Sequence, residues 1–270
     1  MRAALAYEWV RIRTIRSTWW LTGLALVLGV GISTLFAWAI AREFSRTGIH
    51  PGDLDGLGPG VATQLAATGE IPSVVCFILA ILGVFAWGHE YRHGMIRASL
   101  TALNSRTALW IAKFLVVGLW VAVVASVTVV LSGLAGTLYL HDYVTVFTAD
   151  TWAIIGRQVL YGVLLAWIAM AFTALTRSQA FALTMIFLWP LLIESMINLF
   201  FYLVPGLRDH VDLLRFLPFN AGNRMVTAVG LDHLSTFGDP LSPLGGTIVF
   251  GGLGVLLMVA SFVLFRTRDA

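Results

Sequence analysis

Two carboxylates stand in stretches of this chain that are otherwise apolar, and one of them carries a chemical spacing. His89-Glu90-Tyr91-Arg92-His93 reads H-E-x-x-H. On a helix that spacing sets two imidazoles on one face as zinc ligands and leaves the glutamate as general base on metal-bound water. Such a centre needs a third protein ligand. No histidine or acidic residue follows on the same side of the membrane before Asp269, and Gly94 tends to end the helix that must present the pair. Leu54-Asp55-Gly56 offers an aspartate, but it precedes the histidines in a polar loop on the opposite side. The match reads as accidental, and a membrane metalloprotease is kept only as the lesser alternative.

The second carboxylate is Glu194, in Trp189-Pro190-Leu191-Leu192-Ile193-Glu194-Ser195-Met196. A carboxylate at membrane depth costs a few kcal/mol, on the order of 3, so it must face a cavity or a partner. Pro190, one turn earlier, can kink the helix and free a carbonyl. Glu194 is therefore a candidate cavity-lining or gating residue, with a structural bond to Asn198 or to a neighbouring helix as the competing role. Cys76, the single cysteine, reads as a small buried hydrophobe.

The elements that hold these residues follow from composition. Of 270 residues, 59% are hydrophobic and 11% charged, whereas a soluble domain carries roughly 25% charged residues. Most of this surface must face lipid. A crossing needs about 20 apolar residues, and six stretches qualify: 19–41, 71–88, 108–140, 152–175, 180–203 and 243–265. The fold class is an all-α membrane protein of one transmembrane domain, 1–270. An N-terminal interfacial helix (1–18) precedes the spans, with Leu5, Trp9 and Ile12 on one stripe. The run after Arg16 exceeds the 7–15 residues of a signal peptide's apolar core, so it reads as an uncleaved first span.

Arginine and lysine give the orientation. Arg2, Arg11, Arg13, Arg16, Arg92, Arg97, Arg106, Lys113, Arg177, Arg266 and Arg268 fall on one side, in short loops. That side is read as the cytosol, which makes this a multi-pass chain of the bacterial inner membrane with both termini cytosolic. The formal charge of +3 sits beside apolar runs and points to membrane lipid, not to nucleic acid. The external loop 42–70 is rich in Gly and Pro and is assigned no chemistry. In the external segment 204–242, Leu213–Phe219 is too apolar for a free loop and too short to span, so it reads as a re-entrant or interfacial helix.

The one substantial cytosolic loop, 89–107, carries Glu90, Arg92, Gly94, Arg97, Leu100, Leu103 and Arg106, and Lys113 opens the next span. Ile96, Leu100 and Leu103 share a helical stripe, and Asn104-Ser105 can end that helix and cap the next. With Glu8 before Arg11–Arg16, and Pro218 before Ala221, this layout resembles the permease subunits of type-2 ABC exporters. The resemblance implies a coupling helix around Ile96–Leu103 that docks on an ABC ATPase. It also implies a second permease copy or paralogue to complete a dimer. No phosphate-binding G-x-x-x-x-G-K loop occurs, so no cofactor is expected in this chain, with ATP and Mg held by the partner. Met95 departs from the small hydroxyl residue common in the family. The expected function is ATP-driven export of a hydrophobic or amphiphilic substrate by alternating access. A secondary transporter is the alternative; its paired broken helices in an internal repeat are not found.

Overall fold

The computed structural model describes residues 1–48, 72–103, 105–143, 145–227 and 241–267, with the side chains of 72, 73, 97, 102 and 103 outside that description. Most of the Gly/Pro loop, including Leu54-Asp55-Gly56, lies outside the described residues. Among the described residues the chain is helical and contains no strand.

Helix α1, Arg2–Thr14, ends at Ile15, whose backbone is extended (φ −77°, ψ 122°). That one residue turns the chain into α2, Arg16–Thr47. The buried positions of α1 are Ala4, Glu8 and Ile12, so its inward face is rotated from the Leu5–Trp9–Ile12 stripe and carries a carboxylate. Trp9 is instead exposed and meets Trp120 edge-on at 5.9 Å, while Trp19 meets the same ring at 5.4 Å. Indole rings suit the boundary between lipid and water.

Helix α3, Pro72–Arg92, is followed by the short α4, Ile96–Leu103. Helix α5, Arg106–Leu140, has 35 residues. At 1.5 Å per residue it runs about 52 Å, well beyond a hydrocarbon core of about 30 Å, so a crossing by this helix requires tilt or an extension beyond the bilayer. Ser105 caps it, its Oγ accepting from Ala108 N at 3.2 Å. Helix α6, Ala149–Thr176, opens with a capping box in which the Thr148 and Thr151 side chains bond reciprocally.

Six of these helices, including α7 (Gln179–Leu203) and α9 (Pro243–Thr267), are long and apolar enough to cross a bilayer. They are not equally enclosed. In the most apolar windows of α3 and α6, 67% and 61% of residues are buried, against 17% in both α2 and α7. Helices α3, α5 and α6 therefore form the centre, while α2, α7 and α9 leave broad apolar faces uncovered. Gly83 permits the closest approach at the centre, because a Cβ there would strike the Ala166 carbonyl.

Pro190 acts as its position foretold. The helix widens to a π-helical stretch over Trp189–Glu194 before resuming at Ser195, a common way to absorb a lost backbone bond. Beyond it, a 3₁₀ stretch (Pro205–Phe216) leads to the short helix α8, Pro218–Val226. Phe219, Ala221 and Met225 of α8 are buried, so the segment beyond the fifth span folds back onto the bundle.

Candidate functional site: a buried charge hub beside the turn from α3 to α4

The site begins where α3 stops. Gly94 takes φ +64°, the left-handed conformation that glycine adopts without strain. Met95 N then reaches Glu90 O at 2.9 Å and Gly94 N reaches Tyr91 O at 3.4 Å, the paired bonds of a Schellman terminus. This turn fixes Glu90 one helical turn before the end, aimed into the bundle, and sends Arg92 and His93 outward.

Glu90 is 3% exposed, and its partner is Lys113, the chain's single lysine and itself fully buried. The Lys113 ammonium donates to Glu90 Oε1, to Glu8 Oε1 at 2.7 Å and to the Ala86 carbonyl at 3.4 Å. Arg11 closes the group. Its Nε donates to Glu8 Oε2 at 2.8 Å, and its Nη1 donates to Ala86 O at 2.9 Å and lies 3.5 Å from Glu90 Oε1. Below the ammonium the Trp87 ring lies 4.9 Å away, a cation–π contact. Two carboxylates thus balance two cations, joining α1, α3 and α5 at one buried point.

Glu90 faces Lys113 and Arg11; Arg92 is exposed, and the Arg97 side chain lies outside the described residues. The same geometry removes the general base required by the H-E-x-x-H reading, because Glu90 is held in ion pairs. His89 stacks on Phe85 at 4.8 Å, and His93 is exposed past the last residue of α3. No group of three or more metal-ligating side chains is gathered among the described residues.

Helix α4 turns its apolar stripe inward. Ile96 is 7% exposed and Leu100 packs on the same core cluster, while Met95, Ala98 and Thr101 are exposed. A short amphipathic helix buries the apolar face that its own chain can cover, and α5 and the core beside it cover this one. The outward face of α4 is thus Met95, Ala98 and Thr101, not Ile96 and Leu100; the Leu103 side chain is outside the described residues. Ser99 is buried, its Oγ 3.1 Å from Tyr7 Oη, so α1 touches α4 directly. Arg106 Nη1 donates to Arg266 O at 3.4 Å, tying the start of α5 to the end of α9.

At the other end of the bundle Glu194 is 1% exposed. Its Oε1 accepts from Phe219 N at 2.8 Å and its Oε2 from Asn220 N at 2.9 Å. Both carboxylate oxygens therefore cap the first turn of α8. Asn220 Nδ2 donates to Asn198 Oδ1 at 3.1 Å. The neighbouring-helix bond named as the competing role is present, with backbone amides as its donors.

The sequence singled out Glu8 and Lys113 only as parts of a family-like pattern. What it missed was their meeting with each other and with Glu90. The available signal was a lone lysine inside an apolar run, which requires an internal partner.

The family model described as ABC-2 family transporter protein matches residues 4–204, well over half of the chain. A search of curated proteins returns no match. The matched region contains α1 from Ala4 onward, the whole charge hub, α4 and Glu194.

Proposed function

The chain belongs to the ABC-2 family of transporter proteins, and from that premise we propose that it is the permease subunit of an ATP-driven exporter. The observation that carries this reading is the hub. A chain that spans a membrane and holds no nucleotide loop takes its force, as an ATP-driven transporter, from a partner. Helix α4, the end of α3, the start of α5 and α1 are joined through Tyr7–Ser99, Glu8, Glu90 and Lys113. A push on the exposed face of α4 reaches three helices at once, two of them central spans.

In this reading the partner ATPase docks on Arg92, Met95 and Ala98, and the same loop contributes Arg97, Leu103 and Arg106. Leu100 acts from beneath by holding α4 against the core. Glu194 enters as the residue that places α8 at the far gate. The uncovered faces of α2 and α7 supply the surface for a second permease copy or for lipid, and an amphiphile is the substrate class such a surface suits. The hub side is the cytosolic side of the inner membrane.

Co-purification with an ABC ATPase tests the docking. Arg92→Glu together with Ala98→Glu should cut ATPase retention by roughly thirtyfold, the size of a 2 kcal/mol hot-spot loss, while the permease still inserts. Unchanged retention would remove this face as the docking site. Orientation is read separately. With the buried Cys76 replaced by Ala, Ala98→Cys should label only in opened cells, and Asp142→Cys and Asp209→Cys in intact ones. Labelling of Ala98→Cys in intact cells would reverse the orientation.

A further inference from the structure

Helix α9 touches the hub with one end and α8 with the other, and nothing said so far gives it a task. We infer that α9 is the rod through which movement at the hub reaches α8, shifting along α6 as it does so. That role rests on the exporter reading, because the ATPase is what would move the hub.

At the hub the rod is held by rings and by polar bonds. Buried Phe265 meets Trp87 edge-on at 4.9 Å, and the same Trp87 ring lies against the Lys113 ammonium. One turn earlier, Trp110 of α5 donates from Nε1 to Ser261 Oγ at 3.3 Å and meets Phe262 edge-on at 5.2 Å. Edge-to-face pairs have a preferred geometry, so these rings resist sliding. The Arg106 bond to Arg266 O adds a further tie.

At its other end α9 grips α8. A Cβ at Gly246 would strike the Ala221 carbonyl, so the two helices meet backbone to backbone. Buried Phe250 meets Phe219 edge-on at 5.7 Å and lies against Gly222. Glu194 holds the amides of Phe219 and Asn220, whereas Gly246 meets Ala221. The pin and the rod therefore take hold of α8 at different residues.

Between the two grips the contacts are of another kind. Residues 248–260 carry no hydroxyl, amide or charged side chain. Where α9 crosses α6 it presents Gly251 and Gly254, and a Cβ at either would sit at ordinary contact distance, 3.6–3.9 Å, from Leu164 and Ile168. On the opposite side Ile248, Leu256 and Val263 are exposed, so this chain does not enclose the helix. The 25 residues of α9 form one unbroken helix, about 37 Å long, and apolar surroundings keep its backbone bonds intact. Firm ends and an apolar, small-residue middle let such a helix shift as a unit.

The test uses the complex with its ABC ATPase, and hydrogen exchange of Pro218–Val226 reports on α8. Trapping the ATPase with ATP and vanadate should change that exchange by roughly fivefold, the low end of couplings between distant sites. In a Cys76→Ala background, Gly254→Cys with Ile168→Cys sets two thiols against each other across α9 and α6. Oxidised, the pair should abolish the α8 response, and reduction should restore it. Ser261→Ala with Phe265→Leu, which frees the hub end of α9, should remove most of it. Thr22→Val costs Trp120 its own indole bond, 3.1 Å long, to α2 and should leave the response whole. A full response in the oxidised pair would overturn the inference and place the route in the central spans. So would equal losses in Thr22→Val and in the Ser261–Phe265 double variant, which would mean general loosening. A wild-type α8 that ignores trapping while the ATPase still co-purifies overturns the rod and leaves the exporter reading standing. A chain that retains no ATPase overturns both.

Discussion

The two ends of this bundle each bury a carboxylate, and they neutralise it by different means. On the α1 side, Glu90 and Glu8 meet Lys113 and Arg11, side chain to side chain, across three helices. At the far end, Glu194 has no cation against it among the described residues and accepts from two consecutive backbone amides of α8, 25 and 26 positions further along the chain. A network of side chains has spare valence: Glu90 Oε2 is buried without a partner. It can exchange partners when α1 or α4 shifts. A carboxylate chelating two consecutive backbone amides has no such freedom while α8 stays helical. The first arrangement suits transmission and the second suits a fixed pin.

The largest test of that contrast is Lys113→Met. Removing one partner of a buried ion group strands two carboxylates beside a single arginine, at a cost of about 3–5 kcal/mol. We expect a large fall in thermal stability in detergent. The double variant Lys113→Met, Glu90→Gln removes one charge of each sign and leaves Glu8 paired with Arg11, so it should recover much of the loss, while coupling of ATP turnover to transport stays poor. Normal coupling in the recovered variant would show the hub to be scaffolding alone.

Glu194 should give a smaller, purely local effect. Glu194→Leu leaves two buried amides unpaired, at about 1–3 kcal/mol each. Glu194→Gln keeps one acceptor and sets an NH₂ against the other amide, so it should lose roughly half as much. The readout is protease sensitivity or hydrogen exchange of Pro218–Val226, with the hub end unchanged. If Glu194→Gln assembles with full stability yet alters substrate-stimulated turnover, the residue acts as a gate and not as a pin.

Six spans were legible because lipid imposes a length and a composition that no packing detail can alter. The break at Gly94, the Ser105 cap and the distortion at Pro190 were legible because each depends on the backbone chemistry of one residue. The partners were not. Glu8 and Lys113 lie 105 positions apart, and periodicity does not report contacts of that range. Glu194 binds main-chain groups, which look alike in every sequence. The stripe Ile96–Leu100 was visible, but a stripe says only that one face is apolar. Whether its own bundle or a partner covers it depends on where α1, α3 and α5 stand.

The smallest effect expected is that of Tyr7→Phe, and it bears most directly on whether the hub transmits. Tyr7 Oη and Ser99 Oγ are 3.1 Å apart, a side-chain hydrogen bond from α1 to α4. Ser99 Oγ also donates to Met95 O at 3.3 Å, so losing the phenol hydroxyl leaves no orphaned serine. The cost should sit near the low end of a single neutral hydrogen bond, about 0.5 kcal/mol. Stability will hardly register it. Coupling is the better measure: if α1 and α4 move as one body, Tyr7→Phe should lower transport per ATP hydrolysed, in the same direction as the hub variants. Residues in one network give double-mutant energies that do not add, by about 0.5 kcal/mol or more. Combining Tyr7→Phe with Glu8→Gln should therefore cost less than the sum of the two single changes in coupling. Strict additivity would mean that α4 is held to α1 and to the hub independently, and the route from docking face to spans would then run through Gly94 and the end of α3 alone.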